Sequence, residues 1–146
     1  MRIAIIGTGN VGGAIGRGLK GKGHEVTLGA RDPQDAETLA LARNVGASVA
    51  APSQAAAGAE AVILALPWGV AESAVKALGD LSGKIVIDCM NPLGMVNGAL
   101  ALTIGHNTSG GETVQAWLPG AKVVKTLNQV GAEMMADNKA LPHRPV

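Results

Sequence analysis

At 146 residues, with 47% hydrophobic and 16% charged side chains, the chain has the composition of one folded domain with a sizeable core, not of a disordered segment. Twelve basic against eleven acidic residues leave it near neutrality, and two Trp with no Phe or Tyr offer no stacking platform, which argues against nucleic acid and an anionic membrane as partners. The single Cys89 excludes an internal disulfide framework and a cysteine zinc cluster, and with no basic-then-apolar export signal and no membrane-length apolar run, a cytoplasmic location is expected.

Ile3-Ala4-Ile5-Ile6 predicts a buried strand, followed by a glycine-rich turn and a helix from about Asn10 to Gly21. A second strand covers 25–29. Asp32 is the expected N-cap of the next helix, with Pro33 at its first position and Gly46 just beyond its end. Residues 47–50 make a weak third strand, and Ser53 is expected to cap a short helix that Gly58 ends. The run from Ala61 to Leu66 is too apolar to have a wet face, as in a parallel sheet covered on both sides. A helix over roughly 70–79 and a strand over 84–87 follow. Residues 89–108 fit no element and read as a connection of about 20 residues, a length that in compact domains is usually functional. Ser109 to Glu112 matches a capping box for a helix that reaches Leu118 and is stopped by Pro119-Gly120; residues 122–126 make a sixth strand.

This alternation predicts an α/β fold: a doubly wound, Rossmann-type parallel sheet of about six strands with helices on both faces, forming one domain over 1–146. The core must be Ala, Val, Ile and Leu, with Gly where backbones approach closely.

Gly7-Thr8-Gly9-Asn10-Val11-Gly12 is a Gly-x-Gly-x-x-Gly sequence. In a chain with 21 glycines the match alone is weak, but here it follows a buried strand and opens a helix, the context a dinucleotide site requires. Gly7 permits the tight turn, Gly9 lets the backbone approach a pyrophosphate, and Gly12 lets helix and strand pack closely. Free N–H groups from about Thr8 to Gly12 would face the phosphates together with the positive end of the helix dipole.

At the end of the second strand, where a carboxylate would bind the ribose hydroxyls of NAD and repel a 2′-phosphate, the chain has Gly29-Ala30-Arg31. Arg31 offers a planar fork of donors to a phosphate and a face to stack on adenine; a solvated surface arginine is the alternative. Asp32 competes as the missing acid, although its place before Pro33 suits a helix cap. Together these residues favour NADP(H) over NAD.

The stretch from Met1 to Pro33, with Ala65-Leu66-Pro67-Trp68 and Asn91-Pro92-Leu93-Gly94, resembles the NADP-binding domain of the deazaflavin (coenzyme F-420)-dependent NADP oxidoreductases over essentially the whole chain. The resemblance implies that Thr8 to Val11 hold the pyrophosphate, that Ala30 and Arg31 hold the 2′-phosphate, and that Leu66, Pro67 and Trp68 line the cofactor site. Trp68 could instead pack the base of the following helix. Family members place a hydroxyl residue at Ala30 and a second basic residue near Asp35, and this chain departs from both. Ala132 matches a position near the cofactor. The family pattern runs on past Val146 with another strand and helices, so a C-terminal truncation is expected.

Asn91 and Asn128 follow the fifth and sixth strands, where an amide could bond a nicotinamide carboxamide or a substrate carbonyl; each could equally cap a turn. His24, His106 and His143 form no metal-ligand spacing, so no metal site is expected. Cys89 reads as a buried small hydrophobe and Trp117 as a residue packing its helix on the sheet. The expected activity is hydride transfer between NADP(H) and a small-molecule acceptor, a deazaflavin by resemblance, with no catalytic side chain assigned. A module that senses NADP(H) without turnover shares the same residues, and an adenosylmethionine-dependent methyltransferase is disfavoured by Gly29. Pairing into a homodimer is left open.

Overall fold

The computed structural model describes residues 1–105 and 107–137. Its elements run β1 (Arg2–Ile6), α1 (Asn10–Leu19), β2 (Glu25–Gly29), α2 (Ala36–Val45), β3 (Ser48–Ala50), α3 (Pro52–Gly58), β4 (Ala61–Leu64), α4 (Trp68–Lys76) and β5 (Ile85–Asp88). A hairpin of β6 (Leu93–Val96) and β7 (Ala99–Leu102) follows, then α5 (Gly110–Trp117), β8 (Lys122–Lys125) and α6 (Ala132–Ala136). Six strands form one parallel sheet in the order β3-β2-β1-β4-β5-β8. This is the doubly wound α/β fold that the strand-helix alternation predicts.

Strand periodicity divides the core in two. Ile3 and Ile5 of β1, with Val26, Leu28 and Ile63, pack against Ile15 of α1 and Ala42 of α2. Ala4 and Ile6, with Val62, Leu64 and Val86, pack against Ala55 and Ala56 of α3, Ala71 and Val75 of α4, and Val114 of α5. Both faces of the central strands are therefore dry, which is why their sequences carry no polar alternation.

Two local expectations change. Asp32 does not cap α2: its Oδ1 accepts from the Gln34 N–H at 2.9 Å and its carbonyl accepts from Asp35, so it closes a turn. Asp35 takes the N-cap, accepting from the Thr38 N–H at 2.8 Å, and Gly46 ends the helix in the left-handed conformation at φ 72°. Two aspartates three residues apart can each accept a backbone N–H; the first is spent on the turn and the second on the helix. Ser53 likewise does not cap α3, which begins at Pro52 after Ala51 with no side-chain cap. The capping box at α5 is present, with Ser109 and Glu112 each bonding the other's backbone N–H.

The largest departure lies within 89–108. Residues Leu93–Val96 and Ala99–Leu102 pair antiparallel around Asn97 and Gly98, whose φ values of 52° and 80° are those of a two-residue hairpin turn. An Asn-Gly pair between apolar runs is the signal that identifies this hairpin. Met95, Leu100 and Leu102 stand exposed on it.

Hydrogen bonding from Thr38 holds the Asp35 carboxyl below its ordinary value of 3.8. A folded value below the unfolded one contributes stability that is complete above the unfolded pKa and is lost as the pH falls through the folded value. Asp35→Ala is therefore expected to unfold at lower urea concentration than the parent at pH 7, with the gap narrowing as the pH falls below the ordinary carboxylate range; urea titrations from neutral to acid pH check it.

Candidate functional site

The glycine turn is shaped by close approach. Gly7 has φ 105°, and a Cβ there would stand 2.4 Å from the Ala65 carbonyl oxygen; a Cβ on Gly12 would stand 1.9 Å from the Gly7 carbonyl oxygen. Strand β1, helix α1 and the segment leaving β4 thus meet with no room for a side chain. Gly9 differs. A Cβ there would meet nothing within 4 Å, and its φ of −75° suits any residue. The fold does not require glycine at this position. As N-cap of α1 it also supplies no side-chain acceptor, so the first N–H groups of the helix are left facing outward at the positive end of the dipole.

These groups border a cleft of about 1120 Å³ at the carboxyl ends of the strands. Of the sequence-predicted site residues, Gly7, Thr8, Gly9, Asn10, Val11, Arg31, Leu66, Pro67, Trp68 and Asn91 all line it. Three do not. Gly12 is buried beneath the turn, where it serves packing. Ala30 is also buried, its N–H donating to the Ala50 carbonyl, so only its neighbour Arg31 reaches the cleft. Ala132 opens α6, a helix that packs on α1 at Gly18 and does not border the cleft.

Arg31 is exposed, and among the described residues its guanidinium has no hydrogen-bond or ion-pair partner. Gly29 is buried: a Cβ there would stand 2.6 Å from Ile6 Cδ1 and 3.2 Å from Pro52 Cα. This close packing offers its own reason for glycine at that position, so the case for a phosphate at this end of the cleft rests on Arg31. Ser53, on the first turn of α3, borders the same end.

Trp68 both packs against a neighbouring ring and borders open space. It begins α4 and lines the cleft, and its ring lies against Trp117 with centroids 5.3 Å apart and planes tilted by 31°. Trp117 accordingly packs α5 onto α4. Cys89 lines the cleft floor but is 4% exposed, and burial first, then the charge of Asp88, pushes its thiol up to about 11, so it is not a thiolate at neutral pH.

Beneath the cleft floor lies a charged pair that no local sequence pattern marks. Asp88, the last residue of β5, is fully buried. Its Oδ1 accepts from the Met90 N–H at 2.8 Å and its Oδ2 from Lys125 Nζ at 3.1 Å. Lys125 also donates to the Met90 carbonyl. One step further, Asn91 Nδ2 donates to the Asn128 carbonyl at 3.2 Å. A charged residue ending each of two apolar strands was the available signal, but only the register that sets Asp88 opposite Lys125 makes them a pair. Among the described residues no group of His, Cys, Asp or Glu could hold a metal ion; His106 and His143 lie outside them.

The family model for NADP oxidoreductases, coenzyme F420-dependent, matches residues 2–92, from β1 through the cleft floor. The chain belongs to this family. A candidate F420-dependent NADP reductase from Arthrobacter sp. FB24 superposes with a TM-score of 0.86 at 39% identity, covering 94% of this chain and 66% of that one. A hypothetical protein from Sinorhizobium meliloti gives 0.79 at 27% identity, covering 93% and 65%. An imine reductase from Bacillus cereus, at 0.59 and 23% identity over 84% of this chain and 39% of that one, shares the fold. The chain spans about two thirds of the length of the first two structures. No helix among the described residues is long and apolar enough to cross a membrane.

The two kinds of glycine in the turn separate by substitution. Gly12→Ala is expected to lower the unfolding free energy by about 3 kcal/mol, an overpacking cost. Gly9→Ser, at an N-cap with open space around it, is expected to leave it within about 0.5 kcal/mol of the parent. Urea unfolding of both variants checks this.

Proposed function

We propose that this chain is the NADP(H)-binding portion of an oxidoreductase that passes hydride between NADPH and a deazaflavin or a similar planar acceptor. The observation that carries the reading is Gly9: the fold leaves this position free for any side chain, yet it is glycine, uncapped, at the mouth of a large cleft. Such open space beside outward-facing N–H groups fits a diphosphate pressed against the backbone. Arg31, exposed and without a partner among the described residues, lies at the adjoining end of the cleft and supports a 2′-phosphate there, where its fork can donate two charge-assisted hydrogen bonds.

Bound NADPH would supply the hydride, and the protein's work is to orient it and exclude water. Leu66, Trp68, Met90 and Leu93 give the opposite end of the cleft an apolar lining, and Asn91 adds a neutral amide suited to a carboxamide. Among the described residues the only titratable side chains on the cleft wall are Arg31 and Cys89, and the latter keeps its proton up to about 11. A wall without a general acid at neutral pH supports an acceptor that takes hydride directly into a ring system. A cytoplasmic setting and a small-molecule acceptor belong to the same reading.

Titration with NADPH and NADH tests it. The parent is expected to prefer NADPH; Arg31→Ala is expected to weaken NADPH by roughly 10- to 100-fold, the loss of charged hydrogen bonds, and to leave NADH unchanged. A preference for NADPH that survives the substitution undiminished means that Arg31 does not hold the 2′-phosphate. NADPH oxidation with a deazaflavin acceptor supports the enzyme, whereas tight binding without turnover supports a redox-sensing module.

A further inference from the structure

The carboxyl ends of β5 and β8 are joined at two levels. At the base, Asp88 and Lys125 face each other across the parallel register, and between them they satisfy both backbone groups of Met90: the carboxylate takes the N–H and the ammonium takes the carbonyl. At the tip, Asn91 donates to the Asn128 carbonyl. Leu127, between Lys125 and Asn128, has φ 64°, a left-handed conformation that is costly for a branched side chain and that turns the strand end back toward Asn91. Room for the lysine stem comes from Gly111 in the first turn of α5, where a Cβ would stand 3.0 Å from Lys125 Cβ. Gln115 ties the other end of β8 to α5 by accepting from the Val123 N–H and donating to the carbonyls of Leu118 and Ala121.

An ion pair whose carboxylate is fully buried and whose ammonium is only half-buried is a poor device for stability, because desolvation of the carboxylate offsets much of the attraction. Its geometric effect is specific. Fixing both sides of the Met90 residue fixes the direction in which Cys89, Met90 and Asn91 leave the sheet, and all three line the cleft. With Asn91 Nδ2 held by Asn128, the Oδ1 of that amide is left as an acceptor. We infer that Asp88 and Lys125 are positioning residues: they clamp the Met90 backbone so that Met90 and Asn91 present a fixed apolar and hydrogen-bonding edge to the nicotinamide half of the bound nucleotide, without touching it. This rests on the NADP(H) reading above, and it concerns only one half of the ligand.

The test compares NADPH with 2′,5′-ADP, which carries the adenosine and the 2′-phosphate but no nicotinamide, by calorimetric titration of the parent, Lys125→Met and Lys125→Arg. Lys125→Met is expected to bind 2′,5′-ADP within about twofold of the parent and NADPH about tenfold more weakly, the scale of one or two lost hydrogen bonds, and to lose the rise in nicotinamide fluorescence on binding. Lys125→Arg, which keeps the charge and the reach, is expected to restore both. Should Lys125→Met not fold, the same ratio is read on Lys125→Gln, whose shorter amide cannot reach Asp88 and the Met90 carbonyl together. Equal weakening of both ligands, or no change in either, overturns the positioning role. Failure of the parent to bind 2′,5′-ADP at all instead overturns the nucleotide reading on which it rests.

Discussion

Everything at the carboxyl edge of the sheet depends on how closely three backbone segments meet. Gly7 lies under the Ala65 carbonyl and Gly12 under the Gly7 carbonyl, at separations no Cβ could occupy. This contact does more than pack. It forces α1 to start directly above the end of β1, so its first N–H groups cannot turn back into the sheet for partners. Ala65 remains tied to β1, its N–H donating to the Ile6 carbonyl at 2.9 Å, and with Leu66 it borders the opening. The cleft is thus a consequence of the packing of two glycines, and the donors that line it are orphaned by the same geometry.

Much of this was legible in the sequence, because the signals are local. Apolar runs without alternation report a sheet covered on both faces, and the spacing of Gly7, Gly9 and Gly12 between a strand and a helix reports the turn. Long-range pairing was not legible. Asp88 and Lys125 are 37 residues apart, and nothing in either strand states that one will lie opposite the other. Cap choice failed for a different reason: Asp32, Asp35 and Ser53 are all competent acceptors, and only the path of the backbone decides which of them meets a free N–H. The hairpin was visible as Asn97-Gly98 and was obscured by the expectation of a loop.

The two ends of the cleft are chemically unlike. One has the N–H groups that open α1 and the exposed guanidinium of Arg31; the other has Trp68, Met90, Leu93 and the amide of Asn91. Charge attraction can therefore hold a ligand at one end while the other offers only shape and a neutral hydrogen bond. Gly29 belongs to this division in an unexpected way. Its lack of a side chain fits the close approach of Ile6 and Pro52, and that packing also keeps a carboxylate away from the electropositive end. A steric requirement in the core and an electrostatic preference in the cleft thus converge on one residue.

The hairpin lies past the span that the family model matches, and its exposed strands carry no charged side chain to protect their edges. Two strands alone are marginal in water, so its order depends on where it is anchored. That anchor is Pro92, whose carbonyl accepts from both the N–H and the hydroxyl of Thr103, with Leu93 reaching into the cleft. Pro92 is two residues from Met90, and its position is therefore inherited from the same clamp that Asp88 and Lys125 provide. The cleft floor runs directly into the hairpin through Pro92, with β6 also packed on α4, and a shift of the Met90 backbone reaches Asn91, Pro92 and Leu93 before it reaches the glycine turn. Orientation at the apolar end of the cleft and grip at the phosphate end are thus set by separate parts of the fold.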